Sequence, residues 1–192
     1  MAGDCFMAQS LMMRVRSAGS RGGGSLIGGQ GGVVRLDGSL DAIGPRALFV
    51  TLGGDGADLS GHSRAAQWMI LDQLIDEARG RISPDSRFAL LTPAGRVAMA
   101  KYFAGGGRVL ARLHRTSDIL RLLRWSKQRG VDIAIVGAAE GWKVAPQIAA
   151  AGVPVFVDAL ANLPADFDAI GATLENAARL HAAGVRVSFW QA

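Results

Sequence analysis

Between Arg108 and Phe189 the sequence alternates short apolar runs with stretches of helical spacing, and this rhythm limits the fold more than any other feature. RVLARL (108–113) is followed by SDILRLLRWSKQRG, VDIAIVG (131–137) by AEGWKVAPQIAAAG, and VPVFVD (153–158) by a loop and FDAIGATLENAARLHAAG (167–184), which leads into VRVSF (185–189). Val/Ile/Phe runs of this length between helices predict parallel strands covered on both faces. The helical stretches close on Gly130, Gly152 and Gly184, the residue that tolerates a left-handed C-terminal turn. The right-handed crossover rule then predicts four adjacent parallel strands with helices on one side. In such a fold the chemistry lies where strands end and helices begin.

The earlier part of the chain is less regular. Residues 1–24 read as a poorly ordered N-terminal segment, with SAGSRGGGS (17–25) flexible by composition, and residues 25–192 as one domain. Gly28, Gly29, Gly31 and Gly32 in SLIGGQGGVVRLDG open a strand, VVRL, instead of a helix. That context predicts a backbone turn with no nucleotide affinity. ALFVTLG (47–53) is a further strand, and Asp55 and Asp58 beyond it read as solvated turn residues. Ser63 is placed to cap a helix over 64–80, whose Trp68, Leu71, Leu74 and Ile75 recur at three and four. A second helix starts at Pro93, after a short extended piece, and ends at Gly105–Gly107.

Several function classes lose support on composition. Twenty-one basic residues against 16 acidic ones give a net charge of +5, with no block of like charge, so nucleic acid is not an expected partner. Cys5, the one cysteine, leaves no internal disulfide and no cysteine-based zinc site. No apolar run approaches the ~20 residues a membrane span needs. The opening MAGDCFMAQSLMMRVRS lacks a basic stretch ahead of an apolar core, so neither a signal peptide nor a membrane partner is expected.

At the predicted strand ends stand the chemical candidates. His114, with Arg115, follows RVLARL and precedes a helix capped by Thr116 or Ser117; it reads either as a hydrogen-bonded structural histidine or as a metal ligand or acid–base group. Asp158 ends VPVFVD as a ligand or a loop carboxylate, and Asp166 is placed to cap the next helix. Trp142 reads as core, Lys143 as a surface or anion-facing cation, and His62 and His181 as a turn residue and an exposed helical one. There is no Gly-x-Ser-x-Gly, His-x-x-x-His or Cys–His pair to support a nucleophilic hydrolase or a zinc protease.

Residues His114-Arg115 with Asp118-Ile119, Glu140-x-Trp142-Lys143-Val144-Ala145, Asn162-Leu163-Pro164 with Phe167-Asp168, and Leu174-x-Asn176-Ala177-Ala178 resemble the second half of amidohydrolase-superfamily proteins, nearest the imidazolonepropionase-like branch. SLIGGQGGVVRLDG and GHSRAAQWMILDQLIDEAR resemble family segments as well, so the likeness runs over about residues 25–189. The resemblance implies an α/β chain, part of a (β/α)₈ barrel, from a hydrolase of carbon–nitrogen bonds in small amide or peptide-like substrates. It also implies one or two divalent metals, typically zinc. His114 corresponds to the family's fifth-strand ligand, and Arg115, Lys143 and Asp158 become candidate substrate contacts. At the sixth strand, where many members carry His-Gly, this chain has Val136-Gly137-Ala138, and no His-x-His pair is present. The expectation is a fragment with an incomplete metal site, inactive alone. The alternative is a catalytically inactive barrel-derived module for binding or assembly, self-associating through open sheet edges.

Overall fold

The computed structural model describes residues 11–12, 25–31, 34–35, 47–158, 163–164 and 166–190. The expected N-terminal segment apart from Leu11 and Met12 lies outside these residues, as do Cys5, Gly32 and Asn162.

A six-stranded sheet carries the chain, in the order β2 (Ile27–Gly31), β4 (Ala47–Thr51), β5 (Arg108–Leu113), β6 (Ile133–Gly137), β7 (Val155–Asp158), β8 (Val187–Trp190). Strands β4 to β8 are all parallel, so the four predicted strands are adjacent and parallel as expected. A separate antiparallel pair joins β1 (Leu11–Met12) to β3 (Val34–Arg35).

Side-chain alternation sorts the two faces. Leu48, Val50, Val109, Ala111, Leu113, Ile133, Ile135, Val155 and Val157 join the helices in the main core. Ala47, Leu110, Ala134 and Val136 form a smaller cluster on the other face, with Phe49 and Phe156 against it. Helices therefore cover one face. Each fully buried Leu or Ile contributes roughly 1.5–3 kcal/mol, and such side chains concentrate on the helix-covered side.

The helices are α1 (Arg64–Ala78), α2 (Pro93–Phe103), α3 (Thr116–Arg129), α4 (Ala145–Ala150) and α5 (Asn176–Ala182). Ser63 Oγ accepts from the Ala66 amide at 3.2 Å, the expected cap, and Thr92 Oγ1 accepts from Gly95 ahead of Pro93. Gly130, Gly152 and Gly184 are all left-handed, as the sequence predicts. The span 80–92 is turns and bends, without the expected extended piece, and it hangs on Glu77. The fully buried Glu77 carboxylate accepts from the Leu90 amide at 2.8 Å, the Leu91 amide at 2.9 Å, Gln73 at 2.9 Å and Arg96 at 3.2 Å. Burial pushes its pKa up, but those hydrogen bonds and the Arg96 charge outweigh it and hold the group below its ordinary value.

Three further expectations need correction. Gly28, Gly29 and Gly31 do not form a turn; they lie in β2, an antiparallel edge strand on β4 with a bulge between Ile27 and Gly29. The reason is close approach: a Cβ on Gly31 would stand 2.4 Å from the Phe49 ring. The predicted helix over 167–184 shrinks to Asn176–Ala182, because residues 166–175 are drawn into turns, and Asp166 caps one of these by accepting from the Asp168 and Ala169 amides. Neither Thr116 nor Ser117 caps α3; its N-cap is Arg115, and the Thr116 amide and hydroxyl are both directed at Glu140.

Candidate functional site

The carboxyl ends of β4 and β5 bring together Asp55, Arg112 and His114. Asp55 Oδ2 lies 2.9 Å from Arg112 Nε and 3.5 Å from His114 Nε2. Arg112 is on the sheet face away from the helices, and His114 follows the last residue of β5. Contact with His114 is the first cause holding the Asp55 carboxyl below its ordinary value; burial opposes it, and the charges of His114 and Arg112 add to it. Asp55 is the exposed turn residue expected, and from that turn its carboxylate also faces Arg112 and His114. Its position in a Gly-rich loop just past a strand was the available signal for those contacts, whereas Asp58, exposed beside His62, lies in a short 3-10 helix over Ala57–Ser60 instead of a turn.

The His114 ring rests on Gly137 of the neighbouring strand. A Cβ there would fall 2.5 Å from His114 Cε1, and Gly137 has φ 94°, a conformation side chains rarely adopt. Ala138 follows, also left-handed at φ 49°, braced by Asn176 Nδ2 donating to its carbonyl at 2.9 Å. The fully buried Asn176 also accepts from the Trp142 amide at 3.1 Å. Gly137→Ala is expected to cost about 1–3 kcal/mol, from steric overlap and backbone strain together, and to shift the His114 imidazole NMR resonances. An unchanged His114 signal in a folded variant would refute the contact.

Glu140 ties this face to the next loop. Its Oε2 accepts from the Thr116 amide at 3.1 Å and hydroxyl at 3.0 Å, and its Oε1 from Lys143 Nζ at 2.8 Å and the Gly171 amide at 3.0 Å. Burial raises its pKa, yet the Lys143 and Thr116 bonds prevail and lower it from 4.5 to about 2. Lys143 is therefore engaged by Glu140. Trp142 is half-buried instead of core, with Arg179 4.6 Å over its ring and its indole donating to the Gly171 carbonyl.

A second clasp crosses the same edge. Arg64 donates to Asp118 through Nη1 and to Asp168 at 2.5 Å through Nη2, and Asp168 also accepts from the Gly54 amide. Burial, reinforced by Asp168 and opposed by Arg64, raises the Asp118 pKa. Gln67 completes the loop, its amide exchanging two 2.9 Å hydrogen bonds with Gly53 as a neighbouring strand would. Sequence reasoning missed Arg64 and Gln67, which read as ordinary residues of α1.

Arg115 is exposed at the start of α3, and the half-buried Asp158 ends β7, with β6 between its strand and His114. His181 is exposed on α5. Among the described residues no three His, Cys, Asp or Glu side chains stand close enough to hold a metal ion. His114 and Asp55 alone do not fit a catalytic zinc, which takes three protein ligands, and the carboxylate they share already carries a guanidinium. No helix among the described residues is long and apolar enough to cross a membrane.

No protein-family model and no curated protein matches the chain. The crystal structure of an amidohydrolase from Thermotoga maritima MSB8 matches with a TM-score of 0.72 and 19% identity, over 86% of this chain and 48% of that one. The chain spans about half the length of that solved structure. Its parallel sheet, with helices alternating along the chain, is an amidohydrolase-like fold, part of a (β/α)₈ barrel.

Proposed function

We propose that this chain derives from a hydrolase of carbon–nitrogen bonds in small amide or peptide-like substrates, of the imidazolonepropionase-like kind, and supplies part of its reaction face. One observation carries the reading: His114 sits at the carboxyl end of a central parallel strand, seated on Gly137 and facing Asp55, in a fold shared with an amidohydrolase. That is where this architecture places chemistry. Arg115 and Asp158, on the ends of β5 and β7, are the proposed substrate contacts; Lys143 joins them only by leaving Glu140. A divalent ion, zinc by the resemblance, would polarise the carbonyl in a complete site. The donors seen in this chain do not make one, so hydrolysis requires groups beyond those described.

The expected result is that the purified chain, dialysed, retains far less than one equivalent of zinc. It should not turn over acylated amino acids, dipeptides or lactams with zinc, manganese or cobalt added. Stoichiometric zinc and turnover, both lost in His114→Ala, would show a complete site instead.

A second reading, a binding or assembly module, has its own observation. Phe167, Leu174, Ile170 and Phe189 are 85%, 74%, 60% and 66% exposed, the first three in the β7–α5 loop and the last on the edge strand β8. Sedimentation separates the two readings: a concentration-dependent mass abolished by Phe189→Lys, in a chain without turnover, favours assembly.

A further inference from the structure

His62–Asp58 and His114–Asp55 are two histidine–carboxylate pairs with the same 3.5 Å separation of Nε2 from oxygen. Two ligands each about 2.0–2.1 Å from a zinc ion subtend roughly that distance at the tetrahedral angle. Both pairs therefore have the spacing of a cation-binding corner. They differ in one respect. Arg112 Nε stands 2.9 Å from the Asp55 oxygen that faces His114, whereas no guanidinium is recorded against Asp58 among the described residues.

We propose that the Arg112 guanidinium is the resident cation of the strand-end site: it holds, against Asp55 and beside His114, the place a divalent ion would take, and keeps such ions out. A divalent ion bound to that oxygen would lie within a few ångströms of a positive charge, close enough for repulsion even where solvent reaches the pair. It would also have to share an oxygen that already lies 2.9 Å from Arg112 Nε. Arginine suits this role because it stays charged at every working pH. The inference rests on the strand ends being the reaction face, and it deepens that reading: the charge opposite His114 is a guanidinium, and a ligand there meets a hydrogen-bond donor in place of a Lewis acid.

The test uses the full chain with isotope-labelled histidine and arginine side chains and manganese(II) as the probe. In wild type, His62 resonances broaden first, and His114 stays sharp to at least about tenfold higher manganese. In Arg112→Gln, His114 broadens at a manganese concentration at least about tenfold lower than in wild type, and Arg112→Lys, which keeps the charge, restores protection. Broadening of His114 together with His62 in wild type overturns the proposal. So does a folded Arg112→Gln chain in which His114 remains sharp, since burial alone (its side chain is 19% exposed against 78% for His62) would then explain the difference. Should Arg112→Gln fail to fold, the wild-type Arg112 Nε–H resonance decides with zinc as the probe. An unchanged signal supports the resident cation, and its loss with a His114 shift means the ion displaces the guanidinium. That failure would leave the hydrolase reading standing and strengthen its metal-dependent form, whereas turnover is scored in the separate assay above.

Discussion

Replacing Glu140 with glutamine is expected to destabilise the chain by about 3 kcal/mol near neutral pH and to remove much of its sensitivity to acid. The folded carboxyl titrates at about 2 instead of 4.5. Each unit of that depression corresponds to ~1.4 kcal/mol in favour of the charged form. A group with a depressed folded pKa contributes its stability above the unfolded value. That contribution is full above about pH 4.5 and is lost as the pH falls toward 2. Glutamine keeps the shape and loses the match, because one face of its amide would point donors at either Thr116 or the Lys143–Gly171 pair. Urea unfolding at pH 7 and pH 3 measures both effects. Wild type should converge on the variant at the lower pH. A gap at pH 7 below about 0.5 kcal/mol, the scatter of ordinary surface substitutions, would sink the argument.

The larger loss is expected at Glu77. Truncation to alanine leaves Arg96, itself nearly buried, with backbone carbonyl acceptors but no counter-charge, and removes the acceptor from two backbone amides of the α1–α2 connection. Breaking one side of a buried charge pair costs about 3–5 kcal/mol. For a chain of this size that lowers the melting temperature by on the order of 10 °C. The damage should begin locally, so limited proteolysis is expected to cut between residues 80 and 92 in Glu77→Ala under conditions that spare wild type. Replacing Arg96 as well, by methionine, should recover part of the loss, since the penalty lies in the unpaired charge. A double variant no more stable than Glu77→Ala would argue against the pair as its source.

The sheet was legible in the sequence because its strands are short, apolar and separated by helices that end on glycine. That pattern is local. The site was half legible for a related reason: His114 could be placed by the strand that precedes it, whereas its partners come from other strands. Asp55 is reached through the pairing of β4 with β5, and Arg64 meets Asp118 and Asp168 only once the fold exists. Residues 167–175 misled because their helical spacing is real, while two of the bonds that hold them as turns, Asp168 with Gly54 and Gly171 with Glu140, come from distant chain and add to the local Asp166 cap. The glycines of β2 misled for a packing reason, since nothing in their own sequence announces the Phe49 ring lying over them.

The register of the sheet sets an entropic order on its assembly. Ile135 pairs with Val155 across roughly 20 residues and Val109 with Ile133 across little more, but Ala47 meets Arg108 across roughly 60. Closing the longest of these loops costs about 1 kcal/mol more than closing the shortest. That junction is the one that carries Asp55 to Arg112 and His114. The strand-end cluster is therefore built on the sheet's most entropically expensive seam: loosening of β4 would separate its charges while β5 to β8 kept their pairing.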